Sequence, residues 1–385
     1  MSRYLVSILT LLTVASVGLA ANVAVTLNGQ AVTLPVIDSN GKAFVDAAAL
    51  MQLLGGKATY DAGAGKLYIA TTTSTATGSP AAAWGTAQLP GDEGKIGQVY
   101  ALRKSDPLDF RLNSAEFTVS QVRIGEETYA PKANEKLLVL HYSVQNPQKE
   151  ERIVRFDSLR FTVVDAMNVN HEGIGEWGDA QSGSALNLSL KPAQRVEAYT
   201  IVVVPAKGPI PKLMVMPPDE NDGPVVRYDL RGKVTPLQPP VADPTDPTGA
   251  TALETVPAQL NTPCSCSNFD VTVEKTEYIT TALDGDPPGE GERYFVVTLL
   301  AKNKAGADAI LRFDTFKGTL ADADGQEFRQ CDTLIGGTSN RAFDQGIKPN
   351  AEARVRIYFT VPKDVNAKTL SLREGESRTY EFGVQ

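Results

Sequence analysis

The 385-residue sequence contains few of the residues from which catalytic and metal centres are usually built. It has two histidines, His141 and His171, and three cysteines, Cys264, Cys266 and Cys331. Three cysteines are too few for a disulfide-scaffold protein. No Gly-x-Ser-x-Gly elbow accompanies the histidines, which argues against hydrolysis by a Ser-His-Asp triad. We therefore do not expect catalysis.

Clustered positive charge and long apolar runs are also scarce. The formal net charge is −8, and the lysines and arginines are scattered along the chain. Because nucleic acids are bound through basic surfaces, this charge distribution argues against nucleic acid as a partner. Beyond the N-terminal residues, no apolar stretch approaches the length that crosses a bilayer. We expect no transmembrane segment in the mature chain.

The N-terminal residues have the pattern of a secretory signal. Arg3 supplies a positive start, residues 5–18 are apolar apart from hydroxyl residues, and small residues follow at the cleavage positions. The apolar run is too short to serve comfortably as a membrane anchor. We expect residues 1–21 to be a signal peptide. The mature protein is then exported to the periplasm, the outer envelope or the cell surface.

An ungapped internal repeat accounts for much of the chain. Adding 157 to the residue number takes residues 135–146 onto 292–303, and Arg155-Phe156-Asp157 onto Arg312-Phe313-Asp314. The repeated positions carry hydrophobic pattern and turn residues. The two histidines are not repeated, so they do not belong to a function that both copies share.

The two repeats, residues 98–231 and 264–385, are predicted to be β-structured. Apolar residues alternate along one strand of each repeat, which is typical of half-buried strands. About seven short strands in roughly 120 residues predict a mainly β fold with two tandem immunoglobulin-like antiparallel β-sandwiches. The alternating core residues are Leu138, Leu140, Tyr142 and Val144 in the first repeat and Phe295, Val297, Leu299 and Ala301 in the second.

The residues before the repeats predict a small ββαββ module over residues 22–70. Asn28-Gly29 is a strong hairpin signal between two apolar segments. Residues 46–54 are good helix formers, with Asp46 as the candidate cap and Gly55-Gly56 as the stop. Residues 59–69 predict a second hairpin.

This module resembles the stalk-like N-terminal domain of copper amine oxidases. The resemblance implies an accessory module of exported, envelope-attached bacterial proteins, and it implies no copper ligands. The residues that carry the resemblance are Leu27-Asn28-Gly29, Phe44-Val45-Asp46, Leu54-Gly55-Gly56, Tyr60-Asp61 and Leu67-Tyr68-Ile69.

The repeats themselves resemble immunoglobulin-like domains of unknown function that follow bacterial lipoprotein and export signals. The resemblance depends on the spacing of Arg-Phe-Asp, Lys-Pro and a late Val-Pro pair in each copy. Those pairs are Lys191-Pro192 and Val204-Pro205 in the first repeat and Lys348-Pro349 and Val361-Pro362 in the second.

Two segments are predicted to be linkers. Residues 71–97 are rich in Thr, Ala, Gly and Pro and have few large apolar residues. Residues 232–263 contain seven prolines, and this density favours an extended, semi-stiff spacer. The sequence thus predicts modules that fold independently of one another.

Copper is one of two metals that the sequence suggests. His141, His171 and Met167, with Met214 and Met216, offer the imidazole and thioether ligands that copper accepts. Copper and zinc superoxide dismutases share the sandwich architecture. Their metal site is a cluster of four or more histidines, and this chain lacks such a cluster. In the alternative interpretation, Met214 and Met216 pack under the Pro217-Pro218 turn.

Calcium is the second metal. Asp322, Asp324 and Glu327 place oxygen ligands in one loop of the second repeat, and Asp284 and Asp286 do so in another. Both loops also contain an Asp-Gly pair, which is typical of a hairpin turn. Calcium and the hairpin turn stay open as alternatives. No cofactor is predicted, and copper and calcium are the alternatives.

The cysteines predict one disulfide bridge, from Cys331 to Cys264 or Cys266, because the exported compartment is oxidising. A metal site is the alternative, although Cys-x-Cys is not the spacing of zinc sites. Residues 173–178 match Gly-x-Gly-x-x-Gly, yet they lie within a β domain without a following helix. We expect a loop there, with Trp177 packed against the sandwich.

These features together predict an accessory or structural subunit of a bacterial cell-envelope or S-layer assembly. The tandem sandwiches are expected to bind partner proteins, and the chain to be part of a larger oligomer. The candidate contact aromatics are Trp177, Tyr278, Tyr294 and Phe343. The alternatives are an extracytoplasmic copper-binding antioxidant, a metal-handling subunit and a ligand-binding module.

Overall fold

The computed structural model describes residues 20–27, 30–39, 42–45, 56–61 and 66–71 by their backbone, and residues 92–384. The chain divides into two compact units, residues 1–81 and 82–385. No helix among the described residues is long and apolar enough to span a membrane.

The first unit contains two antiparallel arrangements of strands. β1 (Ala20–Leu27), β2 (Gln30–Ser39) and β3 (Lys42–Val45) form one sheet, and β4 (Gly56–Asp61) pairs with β5 (Lys66–Thr71). Leu27 is opposite Gln30, so two residues join β1 to β2, as Asn28-Gly29 predicts. Both hairpins are thereby confirmed. The predicted helix at 46–54 and residues 1–19 of the predicted signal lie outside the described residues.

The first sandwich, within the second unit, has two facing sheets. One has the strand order β15-β17-β11-β8-β20, with β7 also paired to β8, and the other β14-β13-β18-β19-β6. A 3-10 helix (Glu220–Asp222) precedes β19. The bounds are β6 (Asp92–Gly94), β7 (Val99–Leu102), β8 (Leu108–Thr118), β9 (Val122–Ile124), β10 (Glu127–Tyr129), β11 (Glu135–Gln145), β12 (Arg152–Arg155), β13 (Arg160–Val164), β14 (Asn170–Glu172), β15 (Gly178–Asp179), β16 (Asn187–Leu190), β17 (Arg195–Pro205), β18 (Lys212–Met216), β19 (Val226–Asp229) and β20 (Val234–Thr235).

The second sandwich repeats this plan. Its sheets have the orders β22-β23-β24-β30-β28 and β21-β32-β31-β26-β27, and β25 pairs with β29 as β12 pairs with β16 in the first. The bounds are β21 (Thr255–Ala258), β22 (Cys264–Ser265), β23 (Phe269–Ile279), β24 (Glu292–Asn303), β25 (Ala309–Leu311), β26 (Phe316–Asp322), β27 (Glu327–Arg329), β28 (Ile335–Gly336), β29 (Gln345–Ile347), β30 (Glu352–Pro362), β31 (Ala367–Glu374) and β32 (Thr379–Gly383).

The cores of the sandwiches are the apolar faces that the alternation predicted. In β11 and β24 all eight predicted core residues are 0 % exposed. Trp177 is 2 % exposed and meets Tyr142 and Phe161 edge-on, at ring-centroid distances of 5.3 and 5.8 Å. The mainly β sandwich fold and the buried position of Trp177 are confirmed.

One buried asparagine in each sandwich shows how closely the copies agree. The Asn146 side chain donates to the carbonyls of Glu150 and Leu190, at 2.7 and 2.9 Å. Asn303, 157 residues later, donates to Ala307 and Ile347 at 2.9 and 2.7 Å. Each asparagine therefore joins the end of a central strand to the two-stranded ribbon beside it, which is β12–β16 in the first sandwich and β25–β29 in the second.

The structure corrects the interpretation of residues 232–263 as an extended spacer. This segment adds β20 as a parallel edge strand to the first sandwich and β21 to the second. Between them, Leu237, Ala250 and Ala252 are buried in the first core. The prolines lie outside the central strands, so they shape a connection that packs on both sandwiches.

Two buried cations hold the second unit together. The Lys136 ammonium, 0 % exposed, donates to the carbonyls of Ala206 and Gly208, at 3.1 and 2.7 Å, and to that of Ala250 in the connecting segment. It also lies 4.5 Å from the centre of the Phe117 ring. Burial lowers the pKa of Lys136 to about 7.

The second cation, Arg378, connects one sandwich to the other. Its guanidinium, in the turn between β31 and β32, donates to the carbonyl of Leu253 at 2.9 Å and to those of Lys132 and Glu135 in the first sandwich. Beside it, Lys132 and Glu376 form an ion pair of 2.7 Å. Burial lowers the pKa of Arg378 to about 10, so the side chain stays charged at neutral pH.

Candidate functional site

Each sandwich has a turn built from the repeated Arg-Phe-Asp motif, and we call these the Arg-Phe-Asp turns (residues 155–158 and 312–315). In the first, the backbone amide of Ser158 donates to the Arg155 carbonyl at 2.9 Å, and the Ser158 hydroxyl accepts from the Arg155 amide at 3.1 Å. Thr315 makes both bonds to Arg312, at 3.1 and 3.0 Å. A hydroxyl residue therefore closes both turns in the same way.

An ion pair spans each turn. Arg155 Nε is 2.7 Å from Asp157 Oδ1, and Arg312 Nε is 2.7 Å from Asp314 Oδ1. These pairs are solvent-exposed and contribute little to stability. Their effect is local, because they hold both polar side chains beside the phenylalanine between them.

Both turns leave apolar side chains in solvent. Phe156 is 51 % exposed and Phe313 49 %, while Ile153 and Ile310, on the strands leading into the turns, are 65 % and 60 % exposed. Eight large apolar side chains are exposed among the residues whose burial is described, and these four are two pairs related by 157. Duplicated residues of a core are explained by packing. Duplicated exposed ones have no such explanation and are typical of contact surfaces.

The sequence contains part of the signal for this site. The duplication of Arg-Phe-Asp is visible in the sequence, whereas the exposure of its phenylalanine cannot be predicted, because an isolated phenylalanine is usually buried. Ile153 and Ile310 were missed. Their 157-residue separation was the available signal.

The structure does not bring the predicted copper residues together. His141 lies on β11 and its Nε2 is 2.9 Å from Glu116 Oε1, whereas His171 lies on β14 of the facing sheet, 2.9 Å from Asp165 Oδ2. Met167 is 74 % exposed in the loop before β14. Within the described part of the chain, no three His, Cys, Asp or Glu residues are grouped as metal ligands would be.

The predicted calcium loop is a turn capped by its own aspartate. Asp322 Oδ1 accepts from the backbone amides of Asp324 and Gln326, both at 2.9 Å. Asp165, the equivalent residue 157 positions earlier, accepts from Met167 and Val169 at 2.8 and 2.9 Å. The shared aspartate therefore shapes the turn in both copies. Glu327 is exposed at the start of β27.

The predicted disulfide is wrong in this structure, in which all three cysteines are free. Cys264 belongs to β22, at one edge of its sheet, and the backbone amide of Cys331 bonds to Tyr358 on β30. Three strand spacings of about 4.8 Å separate β22 from β30, roughly 14 Å. A disulfide requires Cα atoms within about 7 Å.

The predicted contact aromatics lie mostly in cores. Trp177 and Tyr294 are buried, and Phe343 packs partly against the second core. Tyr278 is covered by the Arg293 guanidinium, 3.6 Å from the ring centre. Among the residues whose burial is described, the exposed aromatics are instead the phenylalanines of the Arg-Phe-Asp turns.

Comparison with known proteins gives a family match for the second repeat. Residues 258–380 match the family model described as Domain of unknown function (DUF4352). This match covers the second sandwich and does not extend to the N-terminal module, so the copper amine oxidase resemblance gains no support from it. No curated protein sequence matches the chain.

Two solved structures are similar to parts of the chain at low identity. An uncharacterized β-sandwich protein from Clostridium difficile is 16 % identical, with 34 % of this chain and 93 % of that one covered and a TM-score of 0.28. The secreted protein MPT63 from Mycobacterium tuberculosis is 10 % identical, with 37 % and 99 % covered and a TM-score of 0.27.

Proposed function

We propose that this chain is an exported, non-catalytic accessory subunit of a bacterial cell-envelope or S-layer assembly. It binds partner proteins through its tandem sandwiches, at the Arg-Phe-Asp turns. The observation that carries this proposal is that Ile153, Phe156, Ile310 and Phe313 are exposed and duplicated. The signal-like N-terminus supports export.

The chemistry of the turns suits binding better than catalysis. Each turn presents an isoleucine and a phenylalanine beside a compensated Arg–Asp pair, so a partner can cover apolar area without burying an unpaired charge. Two such surfaces on one connected unit give avidity, because binding of the first raises the effective concentration of the second.

The test is substitution of the four exposed residues in the full chain. We expect Ile153→Ser, Phe156→Ser, Ile310→Ser and Phe313→Ser, combined, to release the protein from the envelope fraction into the soluble one. Because these side chains are exposed, the free energy of unfolding should change by no more than about 0.5 kcal/mol for each substitution.

Val99→Ser is the matched control, since Val99 is 54 % exposed whereas Val256, the valine 157 residues later, is buried, so its exposure is not duplicated. The control should stay with the envelope. If the combined variant is retained as fully as Val99→Ser, partner binding through the turns is refuted.

The copper alternative stays a prediction from the sequence. Metal analysis of the purified protein tests it: stoichiometric copper that is lost in His141→Ala or His171→Ala would support it.

A further inference from the structure

A groove of about 480 Å³ lies along the second sandwich, and three cations from three different strands line it. Lys317 comes from β26, Arg329 from β27 and Arg373 from β31. All three are exposed on the outer face of the sheet. Their neighbours Phe316 and Leu372 are buried in the core on the other face.

The strand register brings these cations close to one another. Lys317 is directly opposite Arg373, and Thr319, two residues further along β26, is opposite Arg329. Directly opposed side chains have Cβ atoms about 5 Å apart, so like charges there destabilise the sheet. An arrangement that opposes folding is typical of a site that binds a ligand of the opposite charge.

None of the three cations forms a hydrogen bond or ion pair with any residue that the structure describes. Two other exposed arginines do find partners: Arg354 bonds Glu274 through two nitrogens, and Arg312 bonds Asp314. A lysine and two arginines that share one groove thus keep all their donors available for a ligand.

The acidic residues nearby do not cancel this charge. Asp314 and Asp332 also line the groove, and Asp314 is already paired with Arg312. Glu381 is opposite Ser371 on the same face and makes no ion pair within 4.0 Å among the described residues. The groove is therefore locally basic on a chain whose net charge is −8.

The first sandwich does not share this feature. The equivalent positions, 157 residues earlier, hold Arg160, Glu172 and Met216, and Glu172 accepts a hydrogen bond from Thr162 at 2.9 Å. The basic groove is thus specific to the second sandwich, unlike the Arg-Phe-Asp turns that both sandwiches share.

We propose that this groove binds an anionic polysaccharide segment, with its acidic groups on Lys317, Arg329 and Arg373. Guanidinium groups bind the oxygens of carboxylates and sulfates in pairs. Hydroxyls of Thr319, Ser371 and Thr379 line the same groove and suit sugar hydroxyls. The half-exposed ring of Phe313 offers an apolar surface at the groove for the face of a sugar.

The test is calorimetric titration of the full chain with size-matched oligosaccharides: oligogalacturonate for carboxylates, a heparin-derived hexasaccharide for sulfates, and neutral dextran. We expect at least one anionic oligosaccharide to bind, more weakly as salt increases, and dextran not to bind. The combined variant Lys317→Gln, Arg329→Gln and Arg373→Gln should lose roughly tenfold or more in affinity.

Lys363→Gln is the matched control, because Lys363 is an exposed cation outside the groove. It should bind as the unmodified chain does. Removal of the opposed like charges should leave the thermal midpoint of the combined variant unchanged or raised, which separates lost binding from lost folding.

Three results would overturn the proposal: no binding of either anionic oligosaccharide, equal binding by the combined variant and Lys363→Gln, or tighter binding of a poly-glutamate peptide of equal charge. The substitutions touch no residue of the Arg-Phe-Asp turns. A failure here therefore leaves the proposed partner binding standing.

Discussion

At the scale of single residues, burial decides what the reactive side chains of this protein can do. The three thiols are free, and burial raises the pKa of Cys264 to about 12 and that of Cys266 further above its usual range. Because the thiolate is the reactive form, these two cysteines are chemically protected. Burial also raises the pKa of Cys331, but this cysteine is only half-buried, beside Thr360.

We therefore expect a single cysteine to react in the native protein. Brief treatment with iodoacetamide near neutral pH should alkylate Cys331, and denaturant should expose the other two. Intact-mass and peptide mass spectrometry measure both stages without a reducing agent. Labelling of Cys264 at the same rate as Cys331, or a native mass two hydrogens short of the free thiols, would contradict the structure.

Lys136 gives a pH dependence whose sign follows from its surroundings. Its pKa falls from 10.5 to about 7 on folding, so between these values the unfolded chain holds a proton that the native chain has released. The free energy of unfolding then rises with pH across this window. Below pH 7 the lysine is charged in both states, and its contribution is constant.

Urea denaturation at pH 6 and pH 9 measures this effect. The unmodified chain should gain stability over that interval relative to Lys136→Met, which removes the titrating group. Parallel pH dependences would show that Lys136 keeps an ordinary pKa.

At the scale of strands and turns, the sequence predicted what depends on local periodicity. The alternating residues of β11 and β24 define the buried face, because neighbouring side chains of a strand point to opposite sides. The Asn-Gly hairpin followed from turn preference. The structure of residues 232–263 did not follow from the sequence, because β20 and β21 pair with distant strands. No local pattern encodes a parallel edge strand.

The candidate sites were harder to predict, for a related reason. Residue types suggested metals, but metal sites depend on which side chains converge, and His141 and His171 lie on facing sheets. The basic groove shows the opposite case. Lys317, Arg329 and Arg373 are scattered in sequence, and strand register alone brings them to one face.

The duplicated asparagines allow a paired prediction at this scale. Asn303→Ala leaves the carbonyls of Ala307 and Ile347 without their donor, and Asn146→Ala does the same in the first sandwich. Each change should lower the free energy of unfolding by about 1–3 kcal/mol. Denaturant titration measures both. A cost well under 1 kcal/mol for either would show that these bonds do not hold the ribbon.

At the scale of the whole molecule, the two sandwiches of residues 82–385 are joined by buried polar contacts. Arg378 connects three carbonyls, two of them in the first sandwich. Gly306 donates its amide to the Thr128 hydroxyl at 3.0 Å, and a Cβ atom at this glycine would clash with the Glu126 carbonyl oxygen. The two sandwiches are therefore in direct contact at this glycine.

We expect the two sandwiches to unfold together, because each supplies partners that the other buries. Arg378→Met should split their single calorimetric transition into two, while Arg341→Met, at an exposed arginine, should leave it whole. Two transitions in the unmodified protein would show that the sandwiches are independent and that the contacts between them are weak.

The proposed role as a subunit of a larger assembly is tested most directly by the size of the native species. The envelope is extracted in mild detergent, the particle that carries this chain is sized, and its companions are identified by mass spectrometry. We expect a large particle with defined partner proteins. A free monomer in that extract, with no companion, would contradict the proposed role as a subunit.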